Sequence, residues 1–151
     1  MIDPKQPISR YFTWGEVLFS QTAARKGLDN TPTTDIAEVL KVTASHMDDV
    51  RELLGNPVHV NSWYRSPKVN AAVGGAGKSQ HMSGEAVDFV CPQVGPPAEV
   101  AEKILASGVK FDQLIIECPE SPSPWVHISF SENPRHTALI THDGRNYEKV
   151  A

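Results

Sequence analysis

Apolar residues recur along the chain with two periods, and the changes between them mark out its elements. Ile36, Leu40, Met47, Val50 and Leu54 fall at helical spacing and predict a helix from Asp35 to Leu54. Asp35 and Glu38 form its expected cap, and Gly55-Asn56-Pro57 its end. Alternation of period two predicts strands in Val58 to Arg65, Glu85 to Val90, Phe111 to Glu117 and Trp125 to Phe130. By strand parity Ala86, Asp88 and Val90 share a face, as do Gln113, Ile115 and Glu117, and as do Trp125, His127 and Ser129. Shorter helices are expected after the capping box of Thr13 and Glu16, from Ser20 to Lys26 before Gly27, from Ser66-Pro67 to about Val73, and from Pro96-Pro97 to Gly108. Leu28 to Pro32 reads as loop. Cys118 to Pro124 returns the third strand to the fourth as a long antiparallel hairpin, and Ala138 to Thr141 turns at His142-Asp143-Gly144-Arg145 into a last one. The fold class is α+β: a small, mostly antiparallel sheet with helices packed on one side, in a single domain over residues 1–151.

Composition narrows the function. With 151 residues, 40% of them hydrophobic, the chain fits one domain with an adequate core and has no room for a second module. A net charge of −4 without a basic stripe argues against a nucleic-acid partner. The opening Met1-Ile2-Asp3-Pro4-Lys5-Gln6-Pro7 lacks the charged start and apolar core of a secretory signal, and no run approaches a membrane span. The expectation is a monomer made in the cytoplasm, with no membrane partner. Two cysteines, Cys91 and Cys118, are too few for a disulfide scaffold and read as buried thiols.

The candidate chemistry lies in Ser79-Gln80-His81-Met82-Ser83-Gly84-Glu85-Ala86-Val87-Asp88, taken with His127. Two imidazoles and a carboxylate form a three-ligand set suited to Zn²⁺ with an open fourth position, the arrangement of a catalytic site. Extended chain would hold His81 and Asp88 roughly 23 Å apart, so the chain must turn back between them. Gly84 stands where the turn is needed, because glycine reaches positive φ without a steric cost. Paired strands then bring Asp88 and His127 to a common point while His81 enters from the loop. Gly74-Gly75-Ala76-Gly77-Lys78-Ser79 has the letters of a phosphate loop but follows a helix, so it reads as a flexible approach to the metal loop. His46, Asp48 and Asp49 read as a solvated helix face, and His59 and His136 as structural or exposed histidines.

The motif Ser-x-His-x-x-Gly-x-Ala-x-Asp followed by Trp-Val-His resembles the signature of the zinc D-alanyl-D-alanine carboxypeptidases. These belong to peptidase family M15, subfamily A, cell-wall peptidases that share a fold with Hedgehog signalling domains. The resemblance takes in Ser62-Trp63-Tyr64-Arg65-Ser66-Pro67, Asn70 and the opening Tyr11 to Ala23, and so covers about residues 8 to 140. It implies zinc held by His81, Asp88 and His127, Arg65 gripping a peptide carbonyl or carboxylate, and peptidoglycan stem peptide as substrate. Without a signal, the chain would reach the wall as a phage endolysin does, through a holin, or within a virion.

Hydrolysis needs a base, and in many relatives a glutamate stands three residues before the last histidine. Pro124 occupies that position here and cannot serve. Glu117 is the replacement expected, because hairpin pairing brings the end of its strand near His127. Glu120 is second choice, and Glu85 points away from Asp88. Ser79 is expected to hydrogen-bond substrate or its own loop. Trp125 would wall the site or pack in the core, since an indole suits both. Two other readings stand beside the peptidase: a catalytically weak or inactive wall-binding or virion module that keeps the zinc fold, and a structural zinc site closed by Cys91 or Cys118.

Overall fold

In the computed structural model, described for residues 1–150, eleven elements follow in order: α1 (Trp14–Leu18), α2 (Gln21–Lys26), α3 (Thr34–Leu54), β1 (His59–Ser62), α4 (Pro67–Ala72), β2 (Ala86–Val90), α5 (Pro97–Ser107), β3 (Gln113–Glu117), β4 (Trp125–Ser129), β5 (Thr137–Thr141) and β6 (Tyr147–Lys149). The architecture is α+β, with a mostly antiparallel sheet of order β1-β2-β4-β3-β5-β6. No helix among the described residues is long and apolar enough to cross a membrane. Two compact units divide the chain, one of Met1–Asp48 with Ser62–Val87, the other of Asp49–Asn61 with the chain from Asp88 onward.

In the first unit the local signals act as expected. Thr13 and Glu16 form the capping box of α1, and Gly27 closes α2 at φ 65°. Helix α3 departs from expectation at its start, where the Thr33 hydroxyl, and not Asp35, caps it by accepting from the Ile36 amide at 3.3 Å. A hydroxyl one residue before the helix satisfies an open amide that a carboxylate already inside the first turn does not reach. Asp48 is also not part of a solvated face. Its carboxylate accepts from the Ser9 hydroxyl at 2.8 Å and from the Arg10 and Tyr11 amides, each at 3.1 Å, and so ties the N-terminal segment to α3. Phe12 meets the buried Trp63 edge-on, with ring centroids 5.3 Å apart.

The second unit holds most of the sheet. β3 pairs antiparallel with β4, placing Glu117 opposite Trp125 and Ile115 opposite His127. The last hairpin forms as expected, β5 antiparallel to β6 with Thr141 opposite Tyr147. β5 also lies parallel to β3, with Glu117 opposite Thr141. Helix α5 packs on β3 and β4, burying Val100, Ala101 and Ile104. An ion pair to the buried Asp112 carboxylate fastens the segment leading into β5: Asp112 accepts from the Arg135 amide at 2.8 Å, from Nε at 2.9 Å and from Nη2 at 2.7 Å.

Candidate active site

The loop carrying His81 is shaped by its own backbone. Gly84 turns it at φ 81°. The Gly84 carbonyl accepts from the buried Thr43 hydroxyl of α3 at 2.8 Å, and a methyl added at Gly84 would stand 3.1 Å from Leu40. Ser79 Oγ accepts from the His81 amide at 3.2 Å, and Ser83 Oγ lies 3.0 Å from the Gln80 carbonyl and 2.7 Å from Glu85, either of which can accept its one proton. The loop is therefore held from within and from α3.

His81 is buried, and its Nδ1 lies 2.6 Å from the Trp63 carbonyl. A carbonyl only accepts, so the proton sits on Nδ1 and Nε2 carries the lone pair a metal needs. Asp88 Oδ1 and His127 Nδ1 lie 2.8 Å apart on β2 and β4. Neighbours on one tetrahedral ion, with bonds of about 2.0 Å, would stand about 3.3 Å apart, so a small shift accommodates an ion. One ligand atom from each of His81, Asp88 and His127 lies within 4.8 Å of the others. Nitrogen and carboxylate donors of this kind fit a first-row divalent metal.

Glu117 ends β3 on the same face as Trp125 and His127, because residues opposite one another in register share a face. Burial pushes its carboxyl pKa above the ordinary range, the nearby His127 pulls it down, and Asp88 pushes it up. A carboxyl whose pKa is raised by burial holds its proton to a higher pH than an exposed one. Glu120 is instead exposed and bound to His142 Nδ1 at 2.6 Å. Glu85 is engaged by Ser83 and His136 stacks on Phe111 with centroids 4.2 Å apart, while His59 is exposed. Both cysteines are free thiols, Cys91 buried and Cys118 half-buried.

Arg65 is placed by backbone on either side. Its amide donates to the His81 carbonyl at 3.1 Å, and its Nη2 to Ser79 Oγ at 3.3 Å. Asn30, read from the sequence as plain loop, spans the same segment. It donates to the Tyr64 carbonyl at 3.0 Å and accepts from the Ser66 amide at 2.7 Å. The Ser66 hydroxyl caps α4 as expected. No local pattern marks Asn30, Thr43 or Asp48 for these tasks, because each partner is remote in sequence. A mostly apolar cavity lined by Ala98, Ala101, Glu102, Leu105, Leu114 and Ile116 lies on the α5 side of β3, on the opposite strand parity to Glu117.

An α+β fold that gathers two histidines and an aspartate near a buried carboxyl has the parts of a metal-dependent hydrolase. Comparison with protein families gives the kind: residues 10–129 match the family described as Peptidase M15, and the chain belongs to that family. M15 peptidases are metallopeptidases. Comparison with curated proteins finds no significant match. The family match ends at Ser129, the last residue of β4, so β5 and β6 lie beyond it.

Proposed function

We infer that the protein is a zinc peptidase that cuts peptide bonds in bacterial peptidoglycan, as a D,D-carboxypeptidase or an endopeptidase of the stem or cross-link. The observation that carries this reading is the grouping of His81, Asp88 and His127 in a chain of the M15 family. The family match runs through stretches of both units, in keeping with one peptidase domain. Subfamily A and an endolysin-like role rest on the Ser79 to Asp88 motif with Trp125-Val126-His127.

In this reading His81 Nε2, Asp88 and His127 hold the ion. Bound zinc supplies Lewis-acid activation of water and of the scissile carbonyl. Glu117 accepts the proton of the attacking water and delivers it to the leaving amine, a task its buried carboxyl suits. Arg65 grips a substrate carboxylate or carbonyl through its planar guanidinium, steadied by Ser79. Trp125, opposite Glu117, walls the site.

The test is release of new amine from purified peptidoglycan by zinc-loaded protein, with a chelated control and Glu117→Gln. Loss of about 10²- to 10⁴-fold in the variant, with zinc still bound, is expected for removal of a general base. Pro124 in the position of the relatives' glutamate favours the rival reading, an inactive wall-binding or virion module. That reading gains if loaded protein binds the wall and releases nothing.

A further inference from the structure

Four strands place four residues in one row. Trp125 on β4 stands opposite Glu117 on β3, Glu117 opposite Thr141 on β5, and Thr141 opposite Tyr147 on β6. Residues in register project from the same face of a sheet, so Glu117 has a ring on either side of it. The row is not flat. Thr141 is fully buried, its hydroxyl accepting from the Gly144 amide at 2.9 Å, while Tyr147 stays 47% exposed. The Tyr147 hydroxyl donates to the Gly144 carbonyl at 3.3 Å, which fixes the ring over the β5–β6 turn. That turn is joined to the loop after Glu117 by the Glu120–His142 contact. An exposed aromatic on an edge strand, held by its own hydroxyl and in line with a buried carboxyl, has no core to serve.

Strands lie about 4.8 Å apart, so Tyr147 is about 10 Å from Glu117 across the sheet and Trp125 about 5 Å away on the other side. An extended peptide advances about 3.3 Å per residue, which makes 10 Å equal to about three residues. The Glu117 charge also reaches the Tyr147 phenol, whose pKa is raised first by burial and then by that carboxylate.

We propose that Tyr147 is a substrate-binding residue, its ring taking the peptide about three residues from the scissile bond on the β5–β6 side. This deepens the peptidase reading and rests on it. The ring packs against the backbone and aliphatic side-chain carbons of that residue, which are flat or apolar and meet an aromatic face well. The site therefore extends past Glu117 in both directions along the row, and a substrate that ends within two residues of the cut misses one contact. Since residues 137–149 lie beyond the family match at 10–129, this contact would be a feature of this chain's own hairpin.

The experiment compares two peptide sets with the same scissile bond, one extending two residues on each side and one extending five, using zinc-loaded wild type, Tyr147→Ala and Tyr147→Phe. Tyr147→Ala is expected to raise KM for the long set about 5- to 10-fold, leaving kcat within about twofold and the short set unchanged. Tyr147→Phe keeps the ring but loses the hydroxyl bond to the Gly144 carbonyl, so its KM for the long set should fall between those of wild type and Tyr147→Ala. Equal changes for both lengths, or none for the long set, would overturn the proposal. If no variant hydrolyses any peptide, the peptidase reading fails. Fluorescence titration of the long peptide into Glu117→Gln, with and without Tyr147→Ala, then tests the contact: an unchanged Kd overturns it and a 5- to 10-fold weakening upholds it.

Discussion

Gly84→Ala isolates the turn that brings His81 and Asp88 together. The backbone there has φ 81°, which costs a residue with a side chain about 1–2 kcal/mol. The new methyl would meet Leu40 Cδ2 and Cγ at 3.1 Å and Ile36 Cγ2 at 3.4 Å, and overpacking of this kind costs about 1–3 kcal/mol. Stiffening the unfolded chain returns about 0.4–1 kcal/mol, leaving a net loss near 3 kcal/mol. For a chain of this length each kcal/mol lowers Tm by about 2–4 °C, so the variant should melt about 6–12 °C lower. Gly77→Ala is the control, because its added methyl meets nothing within 4 Å and its φ is not positive. Melting in chelator and zinc titration by calorimetry read the two consequences, with zinc affinity expected to fall about 10- to 100-fold as a supporting contact is disturbed. A Gly84→Ala protein that melts within 1 °C of the Gly77→Ala control would refute the argument.

Glu117→Gln should raise the Tm of the metal-free protein at neutral pH. Burial raises the folded pKa of Glu117, so its contribution to stability is complete below the unfolded carboxyl's pKa and is lost as pH rises through the folded value. The Tm advantage should therefore close below about pH 4, and melting curves across that range would show a wild type equal to the variant at pH 7 if the reasoning is wrong. Arg135→Ala leaves the buried Asp112 carboxylate without its guanidinium; since the arginine itself is largely exposed, a loss on the order of 2–4 kcal/mol is expected, read by urea unfolding.

The legible parts of the sequence were those whose cause is local. The capping box at Thr13, the glycine stops at Gly27 and Gly108, the Gly84 turn and the hairpin joining Glu117 to Trp125 each follow from a few adjacent residues. The Thr33 cap was missed because Asp35 offered a competing signal two residues on. Asp48, Asn30 and Asp112 could not be read, since their partners lie 12 to 39 residues away and a charge on a helix face looks solvated without them. The parallel pairing of β5 with β3 was likewise out of reach, because its register is set between strands separated by a third one in sequence. At the candidate site the grouping of His81, Asp88 and His127 and the register of Glu117 with Trp125 follow motif and parity, whereas the contacts that orient Arg65 and His81 could not be read.

The position of β3 has a consequence for cutting the chain. It is paired on one edge by β4 and on the other by β5, which lies past the family match. A polypeptide ended at Ser129 would keep every proposed metal ligand and Glu117, yet it would bare one whole edge of Gln113-Leu114-Ile115-Ile116-Glu117. Unpaired amides and carbonyls beside Leu, Ile and Ile form a template for other chains, and such a fragment would be prone to aggregate. The last hairpin thus also shields a sticky strand, and solubility, more than chemistry, sets the minimum length of this peptidase.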